Sequence, residues 1–275
     1  MMNPFTLIQR HRKIRRECAR IQASIRDDAP IVIIYQMGKV ASSSIYHALK
    51  QREDCHAFHA HLLGMPRQLN RRRRVADSWA NPDKRLRTAK SLWETIIAPR
   101  RPAKIITLVR DPFERNISAY FENSKEPKRP HSNRKEFIDR LIRDFLKTSH
   151  HSLATDWYQK EFNPTLEIDV FAHPFDTSRK WAQYELEPYD LLVLRTDLPD
   201  ENKNQVISEF LGLQNLKIRP SNQTHTKSLN PVYADFKKTI RFPKELGTTI
   251  LNSSYTKHFF SEQEIAAMQA KWIET

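Results

Sequence analysis

Ile31-Val32-Ile33-Ile34-Tyr35-Gln36-Met37-Gly38-Lys39-Val40-Ala41-Ser42-Ser43-Ser44 passes from an apolar, β-branched run into a loop of small donors, then into Ile45-Tyr46-His47-Ala48-Leu49-Lys50. Such a run predicts a strand buried in the middle of a parallel sheet. Ser42, Ser43 and Ser44 open the helix that follows, whose first backbone N–H groups have no partner inside it. Those N–H groups, the helix dipole, three hydroxyls and the Lys39 ammonium are expected to converge on one small volume that favours an oxyanion. The chain has only 4 glycines, and Gly38 falls in this turn.

A second strand of the same type, Lys104 to Arg110, is stopped by Asp111-Pro112 and followed by a helix through Phe121. A third, Tyr189 to Arg195, precedes a helix over Val206 to Leu211, and Cys55 to Leu63 is strand-like. Helices are expected over residues 5–26, in an Arg-rich hairpin from Pro66 to about Pro99, from Arg134 to Lys147, around Trp157, and from Ser261 to Ile273. The last carries a capping-box pattern in Ser261 and Glu264. Polar stretches at 124–131 and 221–230 read as loops. Strands alternating with helices predict an α/β fold with a mostly parallel sheet.

A chain of 275 residues can bury a full core and is most simply one domain with extensions. No apolar run approaches the ~18 residues of a membrane span, and the N-terminus lacks the apolar core of a secretory signal. Two cysteines, Cys18 and Cys55, form neither a disulfide framework nor a metal spacing, which fits a reducing, cytoplasmic setting. The net charge of +14 is clumped at Arg10–Arg20, Arg71–Arg74, Lys84–Lys90, Arg100–Lys104 and Lys125–Lys135. An anionic cofactor, an acidic polymer or an anionic membrane surface are the partners it admits. Nucleic acid is disfavoured, because no zinc-finger spacing, aromatic RNP-like strand or basic region linked to heptads is present.

The loop is not a Walker A sequence, which places Lys directly before the magnesium-ligating Ser/Thr. Here Val40 and Ala41 intervene between Lys39 and the serines. Arg110 ends an apolar strand, and Ser118 lies two turns into the next helix. A guanidinium with a hydroxyl makes a clamp for a second phosphate, at the strand ends where such sheets bind ligands. Two phosphate sites on adjacent strand ends imply a nucleotide phosphorylated at both ends.

Gln36 to Ser44 resembles the 5′-phosphosulfate loop of sulfotransferases that use 3′-phosphoadenosine 5′-phosphosulfate (PAPS). Leu108-Val109-Arg110-Asp111-Pro112 with Ser118 resembles their 3′-phosphate motif. More narrowly, the chain over about residues 31–273 resembles a bacterial capsular polysaccharide synthesis family marked by an Asn-Lys-Trp-Tyr-Ser motif. That element reads Thr155-Asp156-Trp157-Tyr158-Gln159 here and keeps only Trp-Tyr. The resemblance implies a P-loop-like three-layer sandwich over residues 29–275, behind a basic N-terminal helix at 1–28. It implies PAPS held by Gly38, Lys39, Val40, Ala41, Ser42, Ser43 and Ser44 at one end and by Arg110 and Ser118 at the other, with Lys227 of a late loop closing over it. Ala41 stands where a glycine is common, so the loop is expected to turn without a positive φ there.

Sulfuryl transfer needs a base for the acceptor hydroxyl and a cation at the leaving phosphate. Lys39 is the expected cation. His59 and His61 share one face of an extended segment and are the expected bases; the resemblance favours His61, and Gly64 would allow a turn beside it. The acceptor is expected to be a hydroxyl of a glycan, with Arg71–Arg74 and the 125–135 stretch lining a groove for an acidic saccharide, and no metal is required. Three alternatives stay open: a P-loop-like kinase of a sugar or small molecule, a non-catalytic basic protein that binds anionic polymer or membrane, and a metal site in which His56 joins the histidine pair. Arg110 also reads as an ion-pair partner of Asp111 or Glu114, and Trp157, Trp181 and Trp272 as core residues.

Overall fold

The computed structural model describes residues 4–63, 82–128, 133–218 and 230–274. Strands β1 (Ile31–Tyr35), β2 (His56–Ala60), β3 (Ala103–Val109), β4 (Trp181–Leu186) and β5 (Tyr189–Arg195) form one sheet in the order β2-β1-β3-β5-β4. All pairings are parallel except β4 with β5. The helices are α1 (Pro4–Ala23), α2 (Ser43–Lys50), α3 (Pro82–Leu92), α4 (Pro112–Asn123), α5 (Arg134–Thr148), α6 (Leu153–Trp157), α7 (Asn163–Leu166), α8 (Asp200–Leu211), α9 (Asn230–Thr239), α10 (Lys244–Leu251), α11 (Ser254–Phe259) and α12 (Glu262–Trp272). They sandwich the sheet in an α/β, three-layer arrangement.

The β-branched run forms an interior strand, paired in parallel on both sides as its composition predicts. Val32, Ile33 and Ile34 are fully buried between β2 and β3, and each such side chain contributes on the order of 1.5–3 kcal/mol. This matters for the site, because β1 leads to β2 on one side while β3 lies on the other. The strand order therefore reverses between β1 and β3, and the carboxyl ends of those two strands flank the crevice where open α/β sheets place their ligands.

The amphipathic N-terminal pattern becomes α1, with Ile14 and Ile21 buried and Arg12, Lys13, Arg15 and Arg16 exposed. It packs on α3 and on edge strand β2, where Arg20 donates to the Ala57 carbonyl at 2.7 Å and lies 4.4 Å above the Phe58 ring. The capping box of α12 is present as read: Ser261 Oγ accepts from the Glu264 N–H, and Glu264 accepts from the Ser261 N–H at 2.9 Å. Strand β4 has no counterpart in the sequence reading. It is a half-exposed edge strand whose Gln183 and Glu185 face solvent, so it lacks the apolar run that marks the central strands. Of the Arg-rich hairpin, residues 64–81, with Gly64 and Arg71–Arg74, lie outside the described residues, as does most of the 221–230 loop.

Candidate active site

Gln36 leaves the end of β1 fully buried and acts as a hub. Its Nε2 lies 2.5 Å from Ser42 Oγ, 2.8 Å from His59 Nε2 and 3.2 Å from His61 Nδ1. Ser42 Oγ is itself 2.9 Å from His59 Nε2. His59 and His61 do share a face, with ring centroids 4.7 Å apart. They differ in what their nitrogens meet. His61 Nδ1 stands 2.9 Å from the Gln36 carbonyl oxygen, which can only accept; this contact, shorter than the 3.2 Å to Gln36 Nε2, favours the tautomer with the proton on Nδ1 and the basic lone pair on Nε2. His59 Nε2 is instead turned to Ser42 and Gln36, and Tyr46 of α2 stacks on the His59 ring at 5.4 Å. The Tyr46 hydroxyl reaches Glu17 of α1 at 3.3 Å; burial, then the Glu17 charge, raise its pKa.

The loop departs from its expected shape in two ways. The three serine hydroxyls do not converge: Ser42 turns inward without capping α2, and Ser44 Oγ donates to the Ala41 carbonyl at 3.0 Å. With the first intrahelical bond running from Tyr46 N–H to the Ser42 carbonyl, it is the backbone N–H groups of the first turn that form the positive end of α2. Second, Ala41 has φ 57° and Lys39 φ 74°, both left-handed, so the expectation that Ala41 turns without a positive φ is wrong. Gly38, despite its scarcity, is not in that region.

The first half of the loop is held from β3 and α4. Arg110, at the carboxyl end of β3, donates from Nη1 to the Lys39 carbonyl at 2.9 Å. Arg115 of α4 donates from Nε to the Gly38 carbonyl at 3.0 Å. Two guanidinium groups thus hold two consecutive loop carbonyls, and the backbone twists through left-handed residues to present them. Arg115 is only 5 % exposed, and burial lowers its pKa to about 10. Asp111 caps α4 by accepting from the Phe113 and Glu114 N–H groups, with Pro112 in the first turn. Tyr255 clasps the end of β3, its hydroxyl accepting from Arg110 N–H at 2.9 Å and donating to the Arg110 carbonyl at 2.8 Å.

Arg115, Ser118 and Glu122 recur at helical spacing on one face of α4. Arg115 touches Gly38, and Glu122 stands 3.1 Å from Lys39 Nζ, so Ser118 lies on the face turned to the loop. Arg110 Nη2 also approaches Glu114 at 3.4 Å, the ion pair its sequence context allowed. Glu114 gathers Lys237 at 2.7 Å and Lys271 at 3.3 Å as well.

Lys39, His59, His61, Gly38, Val40, Ala41, Ser42, Ser43, Ser44, Arg110 and Ser118 therefore gather around the carboxyl ends of β1, β2 and β3. Val40 is fully buried and contributes backbone alone. Lys227 lies outside the described residues. His56 does not join the histidine pair: it sits at the start of β2, with Nε2 2.8 Å from Asp27, and no three-residue metal cluster occurs among the described residues. Trp157 and Trp272 are core residues, whereas Trp181 is half-buried under Arg179. Sequence reasoning missed Gln36, Tyr46, Arg115 and Glu122. For Gln36 a signal existed, since it is the polar residue that directly follows the β1 apolar run.

A groove of about 110 Å³ lies on the β5 side of the loop, lined by Ala41, Ser44, Leu108, Thr196, Lys203 and Ile218 among others. It opens at the carboxyl ends of β3 and β5, next to the first turn of α2.

Two family models match the chain. One, titled "Putative capsular polysaccharide synthesis protein", covers residues 133–261. The other is the Sulfotransferase family, over residues 23–186, which takes in β1, the loop, the histidine pair, Arg110 and α4. No significant match is found to curated proteins or to solved structures. With more than half of its length under the second model, and with the strand-loop-helix and strand-end arginine of that region in one site, the chain belongs to the Sulfotransferase family, and sulfotransfer is the activity class this membership carries.

Proposed function

We propose that the chain transfers a sulfuryl group from PAPS to a hydroxyl of a carbohydrate acceptor. The observation that carries this reading is the Arg110–Lys39 contact at 2.9 Å, which joins the two candidate anion sites across the strand-order reversal. The residues present fit the donor. The α2 N-terminus and Lys39 offer positive charge at the 5′ end, and Arg110 and Ser118 at the 3′ end. When bound, PAPS supplies the sulfuryl group and departs as adenosine 3′,5′-bisphosphate.

The chain's own residues do the rest. His61 Nε2 takes the proton of the acceptor hydroxyl, since Nδ1–H is committed to the Gln36 carbonyl. His59 orients the Ser42 hydroxyl, and Lys39 neutralises charge that grows on the leaving phosphate. The carbohydrate acceptor is supported by the match over residues 133–261 to a family titled for capsular polysaccharide synthesis.

The test is a thermal-shift titration with adenosine 3′,5′-bisphosphate, ATP–magnesium and ADP, paired with a sulfuryl-transfer assay in EDTA. Ligand that binds the native state raises the melting temperature by mass action. The bisphosphate is expected to stabilise more than either other nucleotide, with transfer undiminished by EDTA. Stabilisation by ATP–magnesium alone, with no sulfuryl transfer in the presence or absence of EDTA, would point to a kinase instead.

A further inference from the structure

The sheet ladder between β1 and β2 ends at the Tyr35–Ala60 pair, one residue short of His61. What fixes the chain beyond that point comes from the far side of the sequence. Trp157, 4 % exposed, donates its indole N–H to the His61 carbonyl at 3.3 Å. Glu161, 3 % exposed, accepts from the Leu63 N–H at 2.9 Å and from the Tyr35 hydroxyl at 2.8 Å. The two residues bracket the segment 61–63, and both are seated in the core: the Trp157 ring meets Tyr35 edge-on at 5.1 Å, and Tyr158 bonds Thr107 of β3 at 3.0 Å. Between them the helix passes through a single π-helical turn, Tyr158–Phe162, a distortion enriched at functional sites. A buried carboxylate is costly to hold in a core. Here its bonds go to the strand that ends in the loop and to the segment that carries the histidine.

We infer that Trp157 and Glu161 are positioning residues for His61, gripping the backbone at its own carbonyl and at the Leu63 N–H just beyond it, so that Nδ1 stays on the Gln36 carbonyl and Nε2 faces the reaction. This rests on His61 being the acceptor base, and it gives the retained Trp-Tyr pair of the degenerate motif a task in the site. The grip acts through geometry alone: displacing His61 lengthens the Nδ1–H bond to Gln36 and releases the ring to its other tautomer.

The test is Trp157→Phe, which keeps an aromatic ring against Tyr35 and removes the indole N–H. Two readouts are taken, steady-state kinetics and the His61 tautomer from ¹⁵N spectra of histidine-labelled protein at alkaline pH, assigned with His61→Gln. The expected result is a fall in kcat of about 10- to 100-fold with KM for PAPS unchanged, together with growth of the Nε2–H tautomer of His61. Glu161→Gln, which keeps an oxygen for Leu63 N–H, should hold the parental tautomer, whereas Glu161→Leu should not. A Trp157→Phe protein with the parental tautomer overturns the inference, whatever its activity, because Trp157 would then act only through the fold. Should His61→Gln retain full kcat, the role of His61 as base falls instead, and the tautomer still decides the grip.

Discussion

The Arg110 guanidinium donates to the Lys39 carbonyl at 2.9 Å, so the strand-end arginine shapes the loop at the neighbouring strand end as well as facing its own anion site. Arg110→Ala is therefore expected to weaken adenosine 3′,5′-bisphosphate binding by roughly 10- to 100-fold, the scale of a lost charge-assisted hydrogen bond or two. Arg110→Lys should restore little, because an ammonium cannot bridge a carbonyl and a phosphate with a planar fork. Calorimetric titration of both variants decides this, and a lysine variant with parental affinity would remove the argument for a bridging role.

The left-handed loop residues give a second prediction. An L-residue at positive φ costs about 1–2 kcal/mol that glycine avoids, offset by the ~0.5–1 kcal/mol entropy glycine loses on folding. Ala41→Gly is thus expected to leave stability unchanged or raise it by up to ~1 kcal/mol. Gly38→Ala should also be tolerated, since a Cβ there meets nothing within 4 Å and φ is not positive. Urea unfolding of the two variants checks both, and marked destabilisation by Ala41→Gly would contradict the backbone assigned to the loop.

Tyr46 supports His59 with its ring rather than its hydroxyl. Tyr46→Phe loses the bond to Glu17 but keeps the stack, and near-parental turnover is expected. Tyr46→Leu loses the stack, worth about 0.5–1.5 kcal/mol, and turnover should drop several-fold. Equal activity of Phe and Leu variants would show that the stack does not matter.

Acid stability reports on Glu114. Burial raises its pKa, but the Lys237 hydrogen bond and the charges of Lys237, Arg110 and Lys271 win and bring it down from 4.5 to about 2. Since the native value is depressed, ionised Glu114 stabilises the fold above about pH 4.5, and this is lost as pH falls toward 2. Glu114→Gln should lower stability at pH 7 by on the order of 2 kcal/mol, with the two proteins converging near pH 2. Unfolding free energies measured across that range would reveal a constant offset if the ion cluster contributes nothing.

The central strands, the loop and the strand-end arginine were legible because each announces itself locally, through a β-branched run, a change to small polar residues, or an Asp-Pro stop. The capping box of α12 was legible for the same reason. The left-handed Lys39 was not, because Arg110 and Arg115, 71 and 76 residues downstream, hold its carbonyl and that of Gly38 before it. Gln36, Tyr46 and Glu122 likewise acquire roles only through partners that the topology delivers. The histidine pair stood between: alternation along β2 placed both rings on one face, but only the Gln36 carbonyl distinguishes their nitrogens.

One consequence of the α1 packing concerns solubility. Among the described residues strand β2 ends the sheet, and its outward Ala57 carbonyl is occupied by Arg20, whose guanidinium also covers Phe58. An uncovered strand edge is a template on which a second chain can add its own strand. Removing α1 would thus uncover the Ala57 carbonyl and the Phe58 ring at that edge, and light scattering of a protein lacking residues 1–23 is expected to show more self-association than the full chain.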